Sequence, residues 1–218
     1  MRLSRAFLLV PVAVAGSTVS AQAQNAANED EWFIQIGAAR VELAEEAEVT
    51  IAGTELPNAG IDMNACYTAV AELGCRIKPA IALTLAVGVP VKQAINGAET
   101  LAPYGKLTSV TYGPAAAMVQ WHPFRFGRLD PYVGAGAAYS HVCDAQDGTL
   151  TNLNASDDIG PAFQIGMAVN IGPSAAMFVD AKKAFLNTEL KGSLGPVPVE
   201  GRLSLDPLVL QRGLKLRM

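Results

Sequence analysis

Residues 61–75 read Ile-Asp-Met-Asn-Ala-Cys-Tyr-Thr-Ala-Val-Ala-Glu-Leu-Gly-Cys, and their side chains alternate in polarity with a period of two. Every odd-numbered position is apolar or aromatic, whereas the even-numbered positions are mostly polar or small. Alternate side chains of a β-strand point to the same face. The segment is therefore predicted to be a long strand with one apolar and one mixed face. This interpretation requires Ile61, Met63 and Leu73 to point outward together, and it fails if they point into a core.

The next segment repeats the pattern, with apolar residues at the odd-numbered positions from Ile81 to Val91. The residues Lys78-Pro79-Ala80 suit a tight turn, so the two segments are predicted to form a hairpin. Similar runs recur along the chain and are separated by turn residues. We predict eight strands, at about residues 31–43, 61–76, 80–92, 106–122, 129–143, 158–171, 175–189 and 199–217.

The connections between these strands alternate in length. Short turns at 78–80, 123–128 and 172–174 alternate with longer polar connections at 45–60, 93–105, 144–157 and 190–198. An even number of strands with short turns at one end and long loops at the other is typical of outer-membrane barrels. The sequence therefore predicts an all-β fold, an eight-stranded antiparallel transmembrane β-barrel.

A soluble β-sandwich is the alternative that such alternation allows. A sandwich would place charged and polar side chains on its outward faces. The second face here consists instead of small residues with few charges, as in Thr84, Ala86 and Gly88. Small side chains suit the narrow interior of a small barrel, so the pattern favours the barrel.

The N-terminus has the features of a secretory signal peptide. Arg2 and Arg5 precede an apolar run, and the sequence Ala21-Gln22-Ala23 matches a cleavage site. We expect residues 1–23 to be a signal peptide and residues 24–218 to form the barrel. The net charge of −4 argues against nucleic acid as a partner, because binding to phosphates needs clustered Lys and Arg.

Few residues suggest catalysis or metal binding. Ser140, His141 and Asp144 resemble the composition of a hydrolase site, but adjacent strand residues point to opposite faces. His141 and Cys143 share a face, yet two ligands fall short of a metal site. The chain has three cysteines, an odd number that excludes a complete disulfide framework. We therefore predict no enzyme activity, no cofactor and no metal.

Aromatic residues gather near the predicted strand ends. Interfacial girdles of aromatic residues are typical of membrane barrels, although core packing would also explain them. The residues are Trp32, Phe33, Tyr112, Trp121, Phe124, Phe126 and Tyr132.

Residues 130–139 read Asp-Pro-Tyr-Val-Gly-Ala-Gly-Ala-Ala-Tyr, and further pieces stand in order along the mature chain at Trp32, 89–91, 158–166, 178–182 and 205–207. The stretch at 130–139 resembles the fifth strand of the OmpW family of outer-membrane proteins. The other pieces resemble segments of that family in the same order.

The resemblance implies an eight-stranded barrel with a largely apolar lumen that takes up small hydrophobic compounds, which leave sideways through the wall. It also places Ile159 at the constriction, where the family has Trp. The alternation itself places small residues in the lumen, and the charges of Asp180 and Lys182 favour an inward position, either as a structural pair or in substrate steering. The expected lumen-lining residues are Cys66, Val70, Thr84, Ala86, Ile159, Asp180 and Lys182, together with Ala82 and Ala162.

The last strand departs from a simple pattern. Leu203 and Leu205 are odd-numbered whereas Leu208, Leu210, Leu214 and Leu216 are even-numbered, so a bulge at Asp206-Pro207 is predicted, with Arg212 on the lipid side. Barrels of this kind mostly end in an aromatic residue that the outer-membrane assembly machinery recognises, whereas Met218 stands at this position.

We expect outer-membrane lipid, small hydrophobic molecules and the assembly machinery as partners. A structural or receptor barrel acting through its loops and a lipid A-modifying barrel enzyme are the alternative functions.

Overall fold

The computed structural model describes residues 31–43 and 46–218, so the expected signal peptide at residues 1–23 lies outside the described residues. The described chain is almost entirely β-structure, with one 3₁₀ turn at Ala102–Tyr104. Its strands are β1 (Glu31–Glu42), β2 (Glu46–Ile51), β3 (Thr54–Glu55), β4 (Ala59–Asp62), β5 (Cys66–Lys78), β6 (Ile81–Gly88), β7 (Val91–Glu99), β8 (Lys106–Trp121), β9 (Leu129–Asp147), β10 (Thr151–Ala155), β11 (Asp158–Asn170), β12 (Ala175–Ala184), β13 (Asn187–Leu194), β14 (Val197–Ser204) and β15 (Leu208–Arg217).

Eight of these strands close a barrel. The antiparallel pairs run β1–β5–β6–β8–β9–β11–β12–β15 and return from β15 to β1. β1 closes the ring because it pairs along its length with both neighbours; Phe33, for example, lies opposite Gly74 of β5 and Arg217 of β15. Closing the ring gives each of its strands a partner strand on both sides. The predicted eight-stranded barrel is confirmed.

The outside of the ring is apolar. Ile165 is 65% exposed and Leu85 is 55% exposed, and similar side chains cover the other strands of the ring. A soluble sandwich would expose polar groups there, so the outward face excludes this alternative. Among the described residues, no helix is long and apolar enough to cross a membrane.

The predicted long loops contain much more β-structure than expected. At the loop end of the barrel, β7, β4, β2, β14, β13 and β10 continue the wall in that order as a second tier. Their inward side chains pack into an apolar core that includes Ile61, Ile95, Val199 and Leu203. These segments were predicted as loops because their composition is polar, and it is polar because only one face of each strand is buried.

The prediction that Ile61, Met63 and Leu73 point outward together is wrong for two of the three. Leu73 is 44% exposed on the outside, but Ile61 and Met63 are buried in the interior of the second tier. The strand is interrupted at residues 63–65, between β4 and β5, and the interruption shifts the alternation by one residue. Both segments alternate, but in opposite phases. The predicted outward orientation is therefore wrong in the second tier and correct in the ring.

The same kind of shift separates β14 from β15, as predicted. Leu203 is buried inside, whereas Leu214 is half exposed on the outside. The backbone reverses phase at Asp206, which has a φ of 31°. Arg212 consequently lies on the outer face of the barrel, as predicted.

The aromatic residues divide between the two faces. Trp32, Trp121, Phe124 and Phe126 are exposed near the turn end, which agrees with a girdle. Phe33 and Tyr132 are instead fully buried inside the ring, and Tyr112 also faces inward, where it contacts Cys66. The girdle prediction is wrong for these three, because each lies at an inward position of the alternation.

Two glycines make room for the inward rings. A Cβ at Gly74 would lie 2.1 Å from the Phe33 ring, and a Cβ at Gly166 would lie 2.5 Å from the Tyr132 ring. A strand glycine often marks such a close approach. The bore near the turn end is therefore filled by side chains.

Candidate functional site

The interior of the second tier forms an apolar cavity that we call the outer pocket. It is a space of about 50 Å³ whose walls are almost wholly aliphatic. The main lining residues are Val49, Ile61, Ile95, Leu107, Leu153 and Leu203. Such a wall offers dispersion and desolvation to a ligand but very few hydrogen bonds.

A second cavity, the alanine chamber, lies inside the ring. It measures about 90 Å³, and five strands each contribute an inward-facing alanine to its wall, which also includes larger apolar side chains such as Val41 and Leu205. A smaller cavity bounded by Met63, Tyr112 and Ser140 lies between the two, because it shares Leu203 with the outer pocket and Leu205 with the chamber. The wall alanines are Ala86, Ala116, Ala138, Ala162 and Ala184.

Below the chamber, buried polar side chains fill the ring; we call this cluster the polar plug. In its upper layer, Lys182 Nζ lies 2.8 Å from Glu72 Oε2 and 3.4 Å from Asp180 Oδ1. Asp180 Oδ2 also accepts hydrogen bonds from Tyr132, Gln164 and Gln211, at 2.8–2.9 Å. Gln120 donates to Glu72 Oε1 at 2.8 Å and to Gln164 Oε1 at 3.1 Å.

The lower layer of the plug closes the turn end. Asp130 contacts His122 Nδ1 at 2.9 Å and Arg76 at 3.4 Å, and Arg76 also donates to the Pro79 carbonyl at 2.8 Å. The ammonium of Lys215 lies 3.7 Å from the centroid of the Phe33 ring, where a cation–π contact is favourable. All of these side chains are buried. Buried charges need partners, and each layer of the plug supplies them through its own ion pairs and hydrogen bonds.

Most of the expected lumen-lining residues point inward. Ala86 and Val70 line the alanine chamber, Lys182 forms part of its floor, and Asp180 lies in the plug. Thr84 is buried, Cys66 is half-buried against Tyr112, and Ala82 and Ala162 are also buried. The structure thus brings Val70, Ala86, Ala162 and Lys182 together at one cavity and leaves the others apart from it.

Ile159 does not line the lumen. It is 68% exposed on the outside of the barrel, so the expectation for this residue is wrong. Asp158 and Gly160 flank it at inward positions, and the alternation leaves no inward place for Ile159. The resemblance assigned Ile159 to the lumen from its matching position in the family sequence. A matching position does not determine which face of the strand a side chain occupies.

The sequence did not identify the partners of Asp180 and Lys182. Glu72 is the one charged residue among the even-numbered positions from 64 to 74, which form the face opposite the apolar one. The sequence could therefore have predicted an inward carboxylate at this position. Its ion pair with Lys182 joins residues 110 positions apart. Gln120, Gln164 and Gln211 are ordinary polar residues in the sequence, and only the register brings them together.

The residues weighed as a hydrolase site do not meet. Ser140 is buried inside the barrel, whereas His141 is exposed on the outside. The carboxylate beside His141 is that of Asp157, 2.8 Å from Nδ1, rather than that of Asp144. Asp157 also accepts hydrogen bonds from the Tyr139 hydroxyl and the Val142 amide. Within the part of the chain that the structure describes, no three His, Cys, Asp or Glu residues could hold a metal ion. Cys66, Cys75 and Cys143 are free thiols.

The wall of the barrel has an interruption beside the cavity that joins the two tiers. β5 pairs with β6 up to Val70 and Gly88, and β4 pairs with β7 from Asp62 and Asn96 onward. Between these points, residues 63–68 face residues 90–95 without a β-ladder. Two side-chain hydrogen bonds span the interruption, from Gln93 Nε2 to the Asn64 carbonyl at 2.5 Å and from the Thr68 hydroxyl to the Val89 carbonyl at 2.8 Å. Pro90 lies at its lower edge and has no N–H to donate.

The sequence comparisons identify related outer-membrane proteins. The OmpW family profile matches residues 28–218. Outer membrane protein AlkL of Ectopseudomonas oleovorans is 32% identical over 187 residues, which cover 85% of this chain and 81% of that protein. The dibenzothiophene metabolism operon protein PahQ of Pseudomonas aeruginosa is 27% identical and covers 84% and 86%, respectively.

Solved structures with the same architecture include two outer-membrane proteins. The crystal structure of OprG from Pseudomonas aeruginosa has a TM-score of 0.81 at 16% identity, over 88% of this chain and 97% of that one. The solid-state NMR structure of AlkL in lipid bilayers has a TM-score of 0.73 at 30% identity, over 93% and 97%. The similarity extends over both tiers.

Proposed function

Because the chain belongs to the OmpW family and forms an outer-membrane β-barrel, we propose that it is a passive channel for small hydrophobic molecules. The observation that carries this proposal is the apolar interior, which extends from the loop end to the alanine chamber and stops at a polar plug. The relative PahQ is named for a dibenzothiophene metabolism operon, and dibenzothiophene is a small apolar molecule. That name supports the same substrate class.

The outer pocket is suited to capture such molecules. Long loops of outer-membrane barrels face the outside of the cell, so the pocket lies at the extracellular end. Transfer of an apolar solute from water to an aliphatic wall contributes about 25 cal/mol for each Å² of apolar surface removed from water. The lining is flexible aliphatic side chains without a hydrogen-bond network, so a guest molecule displaces only weak contacts.

The polar plug opposes a straight passage to the periplasm. An apolar molecule crossing it would separate Lys182 from Glu72 and Asp180, and uncovering one partner of a buried ion pair costs about 3–5 kcal/mol. The interruption beside Pro90 offers a shorter way out, because two side-chain hydrogen bonds, from Gln93 and Thr68, close it in place of a β-ladder. We therefore propose that cargo leaves sideways into the lipid.

The channel proposal predicts that filling the alanine chamber stops uptake. Ala138→Phe would place a ring in the chamber, whereas Ala137→Phe adds the same ring on the opposite, lipid-facing side of β9. Initial uptake of n-octane and naphthalene should fall in Ala138→Phe cells to the level of a deletion strain and stay at the wild-type level in Ala137→Phe cells.

Equal uptake by wild-type and deletion strains would overturn the channel proposal. Folding of both variants is checked by the heat-dependent shift of the barrel in gel electrophoresis. A folded Ala138→Phe barrel that transports as fast as wild type would exclude the chamber as part of the route.

We further infer that the barrel performs no chemistry at Ser140 and His141. The serine is inside the wall and the histidine is outside it, so His141 cannot act as a base for Ser140. Export through a signal peptide at residues 1–23 and insertion by the outer-membrane assembly machinery complete the proposal.

A further inference from the structure

The floor of the alanine chamber differs chemically from its wall. The wall is mainly Ala, Val and Leu, with single hydroxyl groups from Thr68, Tyr112 and Ser140, whereas Lys182 and Gln211 of the polar plug bring a charge and an amide to the cavity from below. A purely apolar occupant would leave these polar groups without partners, which is unfavourable in a buried site. We propose that the alanine chamber binds small aliphatic alcohols, with the hydroxyl on Gln211 and Lys182 and the chain directed toward the outer pocket.

Gln211 supplies a hydrogen-bond acceptor. Its amide nitrogen donates to Asp180 Oδ2 at 2.8 Å, and this contact fixes which end of the amide is the oxygen. The free end, Oε1, is buried and accepts no hydrogen bond from the described residues. Gln211 is one of the residues that line the chamber, and the residue as a whole is only 4% exposed.

Lys182 supplies the complementary donor. An ammonium has three N–H groups, and one of them points to Glu72 Oε2 at 2.8 Å. The contacts to the two oxygens of Asp180, at 3.4 and 3.5 Å, share a second N–H. The third N–H is engaged by no described residue. Lys182 and Gln211 contact the same carboxylate of Asp180, so the two side chains are neighbours at the floor of the chamber.

A hydroxyl fits this pair better than other polar groups do. It donates to Gln211 Oε1 and accepts from Lys182 Nζ at the same time, whereas a carbonyl can only accept. A carboxylate is disfavoured, because Glu72 and Asp180 together outweigh the one charge of Lys182. The chamber measures about 90 Å³, whereas a cavity of about 150 Å³ accommodates benzene, so roughly four heavy atoms of an alcohol fit in it and the rest of a longer chain extends toward the outer pocket.

The inference rests on the proposed function only in that the chamber is reached through the outer pocket. The test is a binding experiment that needs no transport. Isotope-labelled protein in lipid bilayers is titrated with 1-hexanol, n-hexane or hexanoate, and the Gln211 amide and the methyl groups of the wall alanines are followed by NMR. We expect 1-hexanol to shift both sets of signals, n-hexane to shift the alanine methyls alone, and hexanoate to shift neither.

Two variants separate the polar floor from the cavity. Gln211→Leu should weaken 1-hexanol binding roughly tenfold, equivalent to about 1.4 kcal/mol, and leave n-hexane binding unchanged. Gln35→Leu is the matched control, because Gln35 is also a buried glutamine with an amide that has no partner, but it does not line the chamber. Ala162→Leu keeps the floor and fills the cavity, so it should abolish binding of both molecules.

The outcomes either support or overturn the inference. An equal effect of Gln211→Leu on 1-hexanol and n-hexane, or of Gln35→Leu and Gln211→Leu on 1-hexanol, would overturn it. So would 1-hexanol binding that survives in a folded Ala162→Leu barrel. Equal n-octane uptake by wild-type and deletion strains would count against the channel proposal alone, because alcohol binding is measured without transport.

Discussion

The outer pocket and the polar plug occupy the same bore, yet different forces hold them together. The inward residues around the outer pocket are Leu, Ile and Val, whose association is non-directional and leaves the wall deformable. The plug is a set of directional bonds in which nearly every charge faces an opposite charge. The outer half of the bore can therefore admit apolar molecules, while the inner half fixes the register of the ring and stays closed.

The largest effect is expected when the plug loses its central cation. Lys182→Met leaves Glu72 and Asp180 buried without the charge between them, and removal of one partner of a buried ion pair typically costs about 3–5 kcal/mol. Denaturant unfolding of the reconstituted barrel should show a loss of that size. Lys183→Met is the matched control, because this residue lies next to Lys182 on the opposite face and donates to the Asp206 carbonyl.

A second measurement sharpens the interpretation of that loss. The double variant Lys182→Met with Glu72→Gln removes the isolated charge along with its partner, so part of the stability should return. Similar losses in Lys182→Met and Lys183→Met would contradict a special role of the plug.

A smaller and local effect is expected in the outer pocket. Leu203→Ala removes a buried side chain of the second tier and should cost about 2–3 kcal/mol, near the low end for such truncations, because a deformable apolar wall can partly close the space. Hydrogen exchange should accelerate in β2, β13 and β14 and remain slow in β12 and β15. Leu210→Ala, on the outer face of the ring, is the control. Faster exchange throughout the ring would show that the two halves unfold as one unit.

The two halves also differ in how far the sequence predicts them. In the ring, the alternation places Leu73 outside and its neighbours Glu72 and Gly74 inside, as the structure has them. In the second tier, the same alternation assigns Ile61 and Met63 to the wrong face, because a bend of a few residues reverses the phase. A period of two identifies a strand, but it identifies a face only within one uninterrupted ladder.

The plug was predictable only in part. Asp180 and Lys182 are charges at alternate positions of a strand, and lipid-facing charges are costly, so their inward position follows from the sequence. The ion pair between Lys182 and Glu72 does not follow, since it depends on the register of strands far apart in the chain. The alanine chamber was equally hidden, because alanine is as common on the outer face as on the inner one.

The smallest predicted effect is a change with pH in the contact between β9 and β10, which we call the seam and where the two tiers meet on the outside. Hydrogen bonds from the Tyr139 hydroxyl, the Val142 amide and His141 hold the pKa of Asp157 down to about 2, below its ordinary 3.8. A lowered pKa in the folded state means that these bonds contribute stability above the unfolded pKa, and the contribution is lost as the pH falls through about 2. The Val142 amide signal should therefore titrate with a midpoint near 2, and Asp157→Asn should remove the transition. A midpoint at the ordinary pKa would mean that the hydrogen bonds of Asp157 do not stabilise this seam. The hydrophobic contacts of the second tier would then be what stabilises it.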